Sequence, residues 1–294
     1  MKIGTKVNLI LIMLFIGGAL ISGIALSNVL QTKAENEVSS QAQILMQMAT
    51  SVREYTNQRV QPLLEPKLDT EEQFVAEAVP QFATREVFEY FRKNKEYGNF
   101  LYKDSALNPT NLRDKADDFE AEIIKRFRKE PTLTSTSGFR TLFGEKLFYN
   151  ARPFAIKEQS CLRCHNTPQE APKSQLTTYG ERGFGWKLNQ IVATQIVYVP
   201  AQSILINAHR SWVLIMGILA IIFTITLVVM NQLLKRTVLQ RIKRIATVAE
   251  QVSIGDMDAD FGKQSKDEIG TLTEAFNRMK YSLEIALNML NTKL

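Results

Sequence analysis

The sequence is poor in the side chains that form disulfides or bind structural metals. Its 294 residues include only two cysteines and two histidines. A structural zinc site takes four ligands, and a disulfide framework takes several cysteine pairs. The composition therefore excludes a disulfide-rich scaffold and leaves a zinc site short of ligands, so any folded domain must rest on an ordinary hydrophobic core.

The chain also lacks the motifs of common enzyme classes. It contains no nucleophile paired with a base, no Walker-type phosphate loop and no kinase signature. No basic patch interleaved with aromatic residues is present, which argues against nucleic-acid binding despite the net charge of +6. We therefore expect neither an enzyme nor a nucleic-acid-binding protein.

The two cysteines belong to one short motif, C-x-x-C-H, at residues 161–165. This is the attachment pattern of a c-type haem, in which two thiols bond the porphyrin and the histidine binds the iron. A thioredoxin-like dithiol would lie in a βαβ unit, whereas this motif follows a predicted β-hairpin. A zinc site would have only His209 as a further histidine. We predict one covalent haem c per chain, held by Cys161, Cys164 and His165.

Two long apolar runs, residues 7–26 and 212–230, contain no charged residue. Each has about the 20 residues that a helix needs to cross a bilayer. A cleaved signal peptide is the alternative for the first run, but this run is longer than the usual apolar region, and residues 25–27 form only a weak cleavage site. Basic residues mark the cytoplasmic flank of both runs: Lys2, Lys6, Lys235, Arg236, Arg241, Lys243 and Arg244. We expect a two-pass protein of the plasma (inner) membrane.

The apolar runs divide the chain into five predicted parts. Residues 1–30 form an N-terminal transmembrane anchor, and residues 209–233 form the second transmembrane helix. Residues 31–208 form an extracytoplasmic domain between them. A cytoplasmic helical domain at residues 234–287 follows, and residues 288–294, with Leu290 and Leu294, extend its last helix.

The pattern of residues 31–208 predicts an α+β domain. On a long first helix, Leu45, Met48, Val52 and Tyr55 recur at three- and four-residue steps, so we expect them to form its buried face. The other expected elements are helices at 81–93 and 116–129, a strand at 100–102, a hairpin of strands 139–143 and 146–154 around Gly144-Glu145, and a last strand at 190–199. Helices with a small antiparallel sheet in this order are typical of a PAS-type module.

Several short motifs of this domain, taken in order, resemble the cyanobacterial c-type-haem PAS-like sensor family. The resemblance covers about residues 35–205 and implies a PAS-like haem fold and a sensing role. It is carried by Asn108-Pro109-x-Asn111, Ala116-Asp117-x-Phe119-Glu120, Cys161-Leu162-Arg163-Cys164-His165, Tyr179-Gly180, Gly183-Phe184-Gly185-Trp186-Lys187 and Gln195-Ile196-Val197.

Residues 237–287 resemble a HAMP linker, with a Gly255-Asp256 connector and an Asp-Glu-Ile-Gly junction at 267–270. The apolar residues of its two helices repeat at the heptad spacing of a coiled coil. Because one chain supplies only two of the four helices of such a bundle, we expect a homodimer. The expected seams are Val238, Ile242, Ile245, Ala249 and Val252, then Ile269, Leu272, Phe276, Met279 and Leu283.

The second axial ligand of the iron is open after His165. A methionine thioether pairs well with histidine on haem iron, and Met48 on the long first helix is our preferred candidate. Met46 is the next candidate, and a vacant position is the third. His209 adjoins the second apolar run, where an interfacial role is expected instead.

Together these features predict an α+β PAS-like extracytoplasmic sensor domain flanked by two transmembrane helices and followed by an all-α HAMP coiled-coil bundle. We expect a membrane-bound haem c receptor that passes a redox or diatomic-gas signal to a separate cytoplasmic output protein, such as a kinase. A membrane-anchored electron-transfer cytochrome is the alternative, but it gives the HAMP helices no purpose. A small-ligand receptor without haem leaves C-x-x-C-H unexplained.

Overall fold

The computed structural model describes residues 3–262 and 266–291. The chain forms two compact units, one of Asn28–Arg210 and one of Met1–Ser27 with Ser211–Leu294. Lys2 and the last part of the predicted C-terminal extension, Leu294 included, lie outside the described residues.

The described chain contains both helices and strands, and the strand pairs of its sheet are all antiparallel. The α-helices are α1 (Ile3–Tyr55), α2 (Gln61–Leu64), α3 (Lys67–Thr70), α4 (Pro80–Arg92), α5 (Asp118–Lys129), α6 (Gln159–His165), α7 (Lys173–Tyr179), α8 (Gln202–Leu234), α9 (Gln240–Ser253) and α10 (Glu268–Asn291). The strands are β1 (Leu101–Ala106), β2 (Thr136–Leu142), β3 (Glu145–Ala155) and β4 (Ile191–Pro200).

The strands of the first unit form one antiparallel sheet in the order β1-β4-β3-β2. The predicted hairpin is confirmed as β2 and β3, although its turn comes one residue earlier than expected. Phe143 and Gly144 occupy the turn with φ of 50° and 81°, as two-residue connections between right-twisted strands require. The α+β character of the domain therefore follows the sequence pattern closely.

Central strand β4 is buried on both faces, which explains its nearly continuous apolar sequence. One face packs on the part of α1 within Asn28–Arg210 and on α4, through Val38, Met46, Phe88, Phe148 and Val199. The other face packs on α5, through Ile123, Phe127, Leu147, Ile196 and Tyr198. The sheet is thus sandwiched between helices, with one core on each side.

Helix α5 begins where the sequence predicts a helix start. The Asp117 carboxylate accepts a hydrogen bond from the Glu120 backbone N–H (2.9 Å), and the Glu120 carboxylate accepts one from the Asp117 N–H (3.1 Å). This capping box satisfies two backbone donors that the first turn leaves free. The predicted inward residues Ile123 and Phe127 are buried.

The predicted buried face of α1 is wrong for Met48 and Tyr55, whereas Leu45 packs against the core. Met48 is 58% exposed and Tyr55 is 64% exposed. The buried residues lie instead at steps of four and three along a neighbouring face: Ala34, Val38, Ala42, Met46 and Ala49. Alanines let the helix axis approach the sheet closely, whereas the sequence pattern gave more weight to large side chains. A π-helical turn at Thr56–Val60 follows α1 directly.

Two helical segments are long and apolar enough to cross a membrane, by length and composition: Gly4–Leu64 and Gln202–Ser253. The apolar windows are 6% and 0% buried within the structure, unlike the core helix of a soluble protein. In the second unit, the Trp212 indole N–H donates to the Gly23 carbonyl (2.8 Å).

The C-terminal helices of the second unit share a small apolar cluster. Ile245, Val248, Val252 and Phe261 are buried there, and Ile269 and Phe276 pack against them. The predicted seam is confirmed at Ile245 and Val252, but Val248 is buried where Ala249 was expected to be central. A π-helical turn at Lys235–Leu239 joins α8 to α9.

The Asp-Glu-Ile-Gly junction starts α10 as expected. The Asp267 carboxylate accepts a hydrogen bond from the Gly270 backbone N–H (2.8 Å), which caps the first turn of the helix. Met279, Leu272 and Leu283 of the predicted second seam are exposed in the single chain.

Candidate haem site

Helix α6 carries Cys161, Cys164 and His165 directly after strand β3. Residues three apart lie on one side of a helix, so both thiols project from the same side of α6. Cys161 and Cys164 are half-buried free cysteines. Because the sheet of the described chain pairs only antiparallel strands, the motif does not lie in the βαβ setting of a thioredoxin-like dithiol.

The thiols are not activated in the manner of redox or catalytic cysteines. Burial raises the pKa of both Cys161 and Cys164 above the usual value, whereas reactive cysteines have a lowered pKa. Among the described residues, no group of three or more His, Cys, Asp or Glu side chains is arranged to hold a metal ion. These observations weigh against the dithiol and zinc alternatives.

The His165 ring is held in one tautomer. Its Nδ1 lies 2.8 Å from the Gly183 carbonyl oxygen, and because a carbonyl only accepts, Nδ1 must carry the hydrogen. Burial lowers the pKa of His165, so the imidazole is neutral and its Nε2 keeps a lone pair. A hydrogen bond of this kind on the other ring nitrogen is how proteins orient metal-binding histidines.

The loop at residues 183–186 supplies that hydrogen bond and covers the ring. The Trp186 side chain stacks on His165, with ring centroids 3.9 Å apart and planes 11° from parallel. The backbone N–H of Trp186 also donates a hydrogen bond to the backbone carbonyl of His165 (3.1 Å). Gly183 has a φ of +73°, and an added Cβ would lie 2.1 Å from Thr110 Oγ1. Only glycine fits there, which gives a physical reason for this loop sequence.

Two cavities adjoin the motif, with volumes of about 130 and 320 Å³. Cys164 and His165 line both of them, and Cys161 lines the larger one. They also share apolar and aromatic walls: Phe74, Val79, Phe154 and Trp186. The two thiols and the imidazole therefore line neighbouring cavities that share apolar and aromatic walls.

Charged and polar side chains line the same cavities. Arg85, Asp114 and Gln175 line the smaller cavity, and Arg53 lines the larger one. Among the described residues, Arg53 Nε, Arg85 Nε and Gln175 Oε1 are buried without a hydrogen-bond partner. An unpaired buried polar atom costs about 1–3 kcal/mol. Two such atoms beside the smaller cavity and one beside the larger are therefore what a site for a ligand with polar edges would show.

These polar residues were missed by the sequence analysis. Arg53 lies seven residues after Met46 and four after Ala49, on the buried face of α1. A charged residue on the buried face of a helix is unusual, and this could have identified Arg53 from the sequence. The correct buried face of α1 has to be known first. Arg85 comes from α4 and meets the site through the fold alone.

The structure does not bring the predicted methionine ligands to this site. Met48 is exposed and Met46 is fully buried in the core between α1 and the sheet. In the described part of the chain, neither methionine lines either cavity, and the same holds for His209 on α8. The preference for Met48 followed from the wrong stripe on α1, and its role as an axial ligand stays a prediction that a haem spectrum can test.

Comparison with known proteins adds two family matches and two similar proteins. A family described as Tll0287-like matches residues 31–200, and the HAMP domain matches residues 233–284. The methyl-accepting chemotaxis protein TlpA of Bacillus subtilis (strain 168) is 34% identical over 101 residues, or 34% of this chain, and the chain spans only 14% of that relative. A crystal structure of the cyanobacterial haem protein Tll0287 has 16% identity and a TM-score of 0.38, over 56% of this chain and 95% of the other.

Proposed function

Because the chain belongs to the Tll0287-like family through residues 31–200 and carries a HAMP domain at 233–284, we propose that it is a membrane-bound haem c sensor. The observation that carries the proposal is that Cys161, Cys164 and His165 all line the larger cavity, and that Cys164 and His165 also line the smaller one. The namesake of the family is described as a haem protein, and the proposal extends that binding to this chain.

The side chains suit a covalently attached haem. Cys161 and Cys164 provide thiols three residues apart on α6, and His165 presents a neutral Nε2 because Gly183 holds Nδ1. The stacked Trp186 ring limits rotation of the imidazole and shields it from water. When bound, the haem would supply a one-electron redox centre and an iron open to axial ligands.

The route of the signal follows the connections of the chain. Helix α1 both packs on the sensor sheet and contains the first apolar run, and β4 leads directly into α8 with the second run. A HAMP domain follows, and the TlpA match is to a receptor. We propose that residues 31–208 lie outside the plasma membrane and the HAMP helices in the cytoplasm, where a separate output protein receives the signal.

Dimerisation is part of the proposal. Leu272, Met279 and Leu283 occur at heptad spacing on α10 and remain exposed in the single chain. A second copy that pairs with them would complete a four-helix bundle. The bundle would carry a redox or gas signal from the haem domain to the output protein.

The first part of the test is the absorption spectrum of the full chain made together with cytochrome c maturation proteins. Ferric, ferrous and ferrous carbon monoxide spectra should show a c-type haem that stays bound after denaturation. A C161S/C164S double variant is the control and should carry none. If the wild-type chain takes up no covalent haem while a control cytochrome matures, the proposal fails.

The second part separates a sensor from an electron carrier. A single cysteine in place of Leu272 reports the HAMP seam, and one in place of the exposed Ile254 between the helices serves as the control. We expect the crosslinking rate at position 272 to differ between ferric and ferrous protein, and that at 254 to stay constant. Equal rates at 272, together with rapid electron exchange with a soluble partner, would identify an electron-transfer cytochrome.

A further inference from the structure

Two arginines in the cavity walls have donor groups that the protein itself does not use. The side chains of Arg53 and Arg85 are each 13% exposed. In the described structure the Nε of each is buried and donates no hydrogen bond, although Arg85 Nε lies 3.5 Å from Glu86 Oε1 in an ion pair. Arg53 lines the larger cavity and Arg85 the smaller one, so both guanidinium groups adjoin the space beside His165.

The ion pairs of these arginines leave them available to a further anion. Arg53 donates through Nη2 to Asp104 and to the Tyr102 hydroxyl, both at 2.7 Å. Arg85 has looser pairs, 3.5 Å to Glu86 and 3.6 Å to Asp114. A guanidinium has five N–H donors and suits bidentate binding of a carboxylate, and these contacts occupy only part of that capacity.

We propose that Arg53 of α1 and Arg85 of α4 bind the two carboxylates of the haem that Cys161 and Cys164 would hold, an inference that rests on the proposed function. The vinyl edge of a haem, which the thiols bond, is opposite its carboxylate edge. Attachment at α6 would therefore direct the carboxylates towards walls formed by other elements, and Arg53 and Arg85 belong to such walls. Lys157 also lines the larger cavity, but it is exposed and has no buried unpaired donor.

A contact between Arg53 and a haem carboxylate would connect the cofactor directly to α1. Arg53 lies near the end of the helix whose earlier residues form the first apolar run. With haem bound, Arg53 would join the carboxylate edge of the cofactor to α1, so a change in the charge of the site would act on this helix through the Arg53 ion pair.

The test uses the full haem-loaded chain with R53Q and R85Q, and R140Q as the matched control. Arg140 is 15% exposed, donates to Asp117 and Tyr198, and lines neither cavity in the described chain. All four proteins should contain equal covalent haem, since attachment depends on the thiols. Loss of covalent haem from the wild-type chain would instead overturn the proposed function.

Two spectroscopic readouts report the carboxylates directly. In R53Q and R85Q the propionate bending bands of the resonance Raman spectrum should shift, and the midpoint potential should fall, because a positive charge that favours the ferrous state is removed. R140Q should leave both unchanged. Wild-type bands and potentials in both cavity variants would overturn the inference. R53K, which keeps the charge but not the planar fork, should shift the bands even if R53Q unfolds.

A free organic acid is the other possible source of a carboxylate. Succinate titrated into the haem-loaded chain should not raise its melting temperature, because the propionates occupy the arginines. A succinate-dependent rise that R85Q abolishes would show that the arginines serve a diffusible acid, and would overturn the inference.

Discussion

Helices α1 and α4 pack against the sheet, and the layer that they form has two halves. One half is a closed apolar core, and the other half surrounds the cavities. In the closed half, these elements contribute Val38, Met46, Phe88 and Val199 to the core. In the other half, the same helices contribute Arg53 and Arg85 to the walls of the cavities. The change occurs within about two helical turns on α1, between Met46 and Arg53.

The two halves differ in what they contribute to the domain: the closed half stabilises the fold, and the cavity half forms the candidate cofactor site. The closed half gains from burial of apolar area, which dominates folding stability. The cavity half keeps unpaired polar atoms and empty volume, both of which are destabilising. Substitutions in the closed half should therefore change stability and leave the cofactor alone. Substitutions in the cavity half should change the cofactor, and they should change stability only where a buried charge such as that of Asp114 is removed.

The largest expected effect is in the cavity half. Replacement of Cys161 and Cys164 by serine should abolish covalent haem attachment completely, because no other cysteine is available in the sequence. Haem staining of the denatured protein measures this. The closed half should keep its secondary structure by circular dichroism, and loss of the folded sheet in this variant would break the comparison.

Met46→Ala should give the largest loss of stability in the closed half. Met46 is fully buried, and truncation of such a side chain costs about 2–5 kcal/mol. Urea unfolding of the detergent-solubilised chain measures the change. Met48→Ala is the control, because Met48 is 58% exposed and should change stability by less than about 0.5 kcal/mol.

The same pair sharpens the question of the axial ligand. Because Met48 lines neither cavity in the described structure, Met48→Ala should leave the haem spectrum unchanged in both oxidation states. A changed spectrum would restore Met48 as a candidate ligand and require α1 to rotate relative to this structure.

Asp114 gives the cavity half a distinctive pH dependence. Burial raises the pKa of Asp114 from 3.8 to about 6, so the folded state binds this proton more tightly than the unfolded chain does. Its contribution to stability is therefore largest below about pH 4 and is lost as the pH rises through about 6. In Asp114→Asn, the fall in unfolding free energy between pH 4 and pH 7 should shrink by about 2 kcal/mol. Equal pH profiles for the two proteins would contradict this assignment.

The smallest effect is expected at the rim of the site. Arg163, between the two cysteines, forms ion pairs with Glu65 and Asp69, which are both exposed. Exposed pairs contribute about 0.2–1 kcal/mol each. Arg163→Gln should lower the unfolding free energy by about 1 kcal/mol in low salt and by less in high salt. A loss of several kcal/mol would show that the rim is part of the core.

Local patterns predicted local structure well. The hairpin of β2 and β3 and helix α5 depend on residues close in sequence, and both were found, with the hairpin turn one residue and the helix start two residues away from their expected positions. The stripe of α1 was misjudged because alanines are weak signals of burial, although close packing makes them the contact surface. Arg53, Arg85 and Trp186 meet His165 only after the chain has folded, so no spacing rule in the sequence could join them.

The π-helical turn at Lys235–Leu239 has a consequence for how the HAMP helices are set. A π turn holds one residue more than an α turn, and one residue corresponds to about 100° of rotation around a helix. Conversion of this turn to α-helix would therefore turn the apolar side of α9, with Ile245 and Val252, by about 100° about its own axis relative to α8. At this junction the Thr237 hydroxyl donates a hydrogen bond to the Leu233 carbonyl of α8. A change between the π and α forms of this junction would therefore rotate α9 in a single step of about 100°.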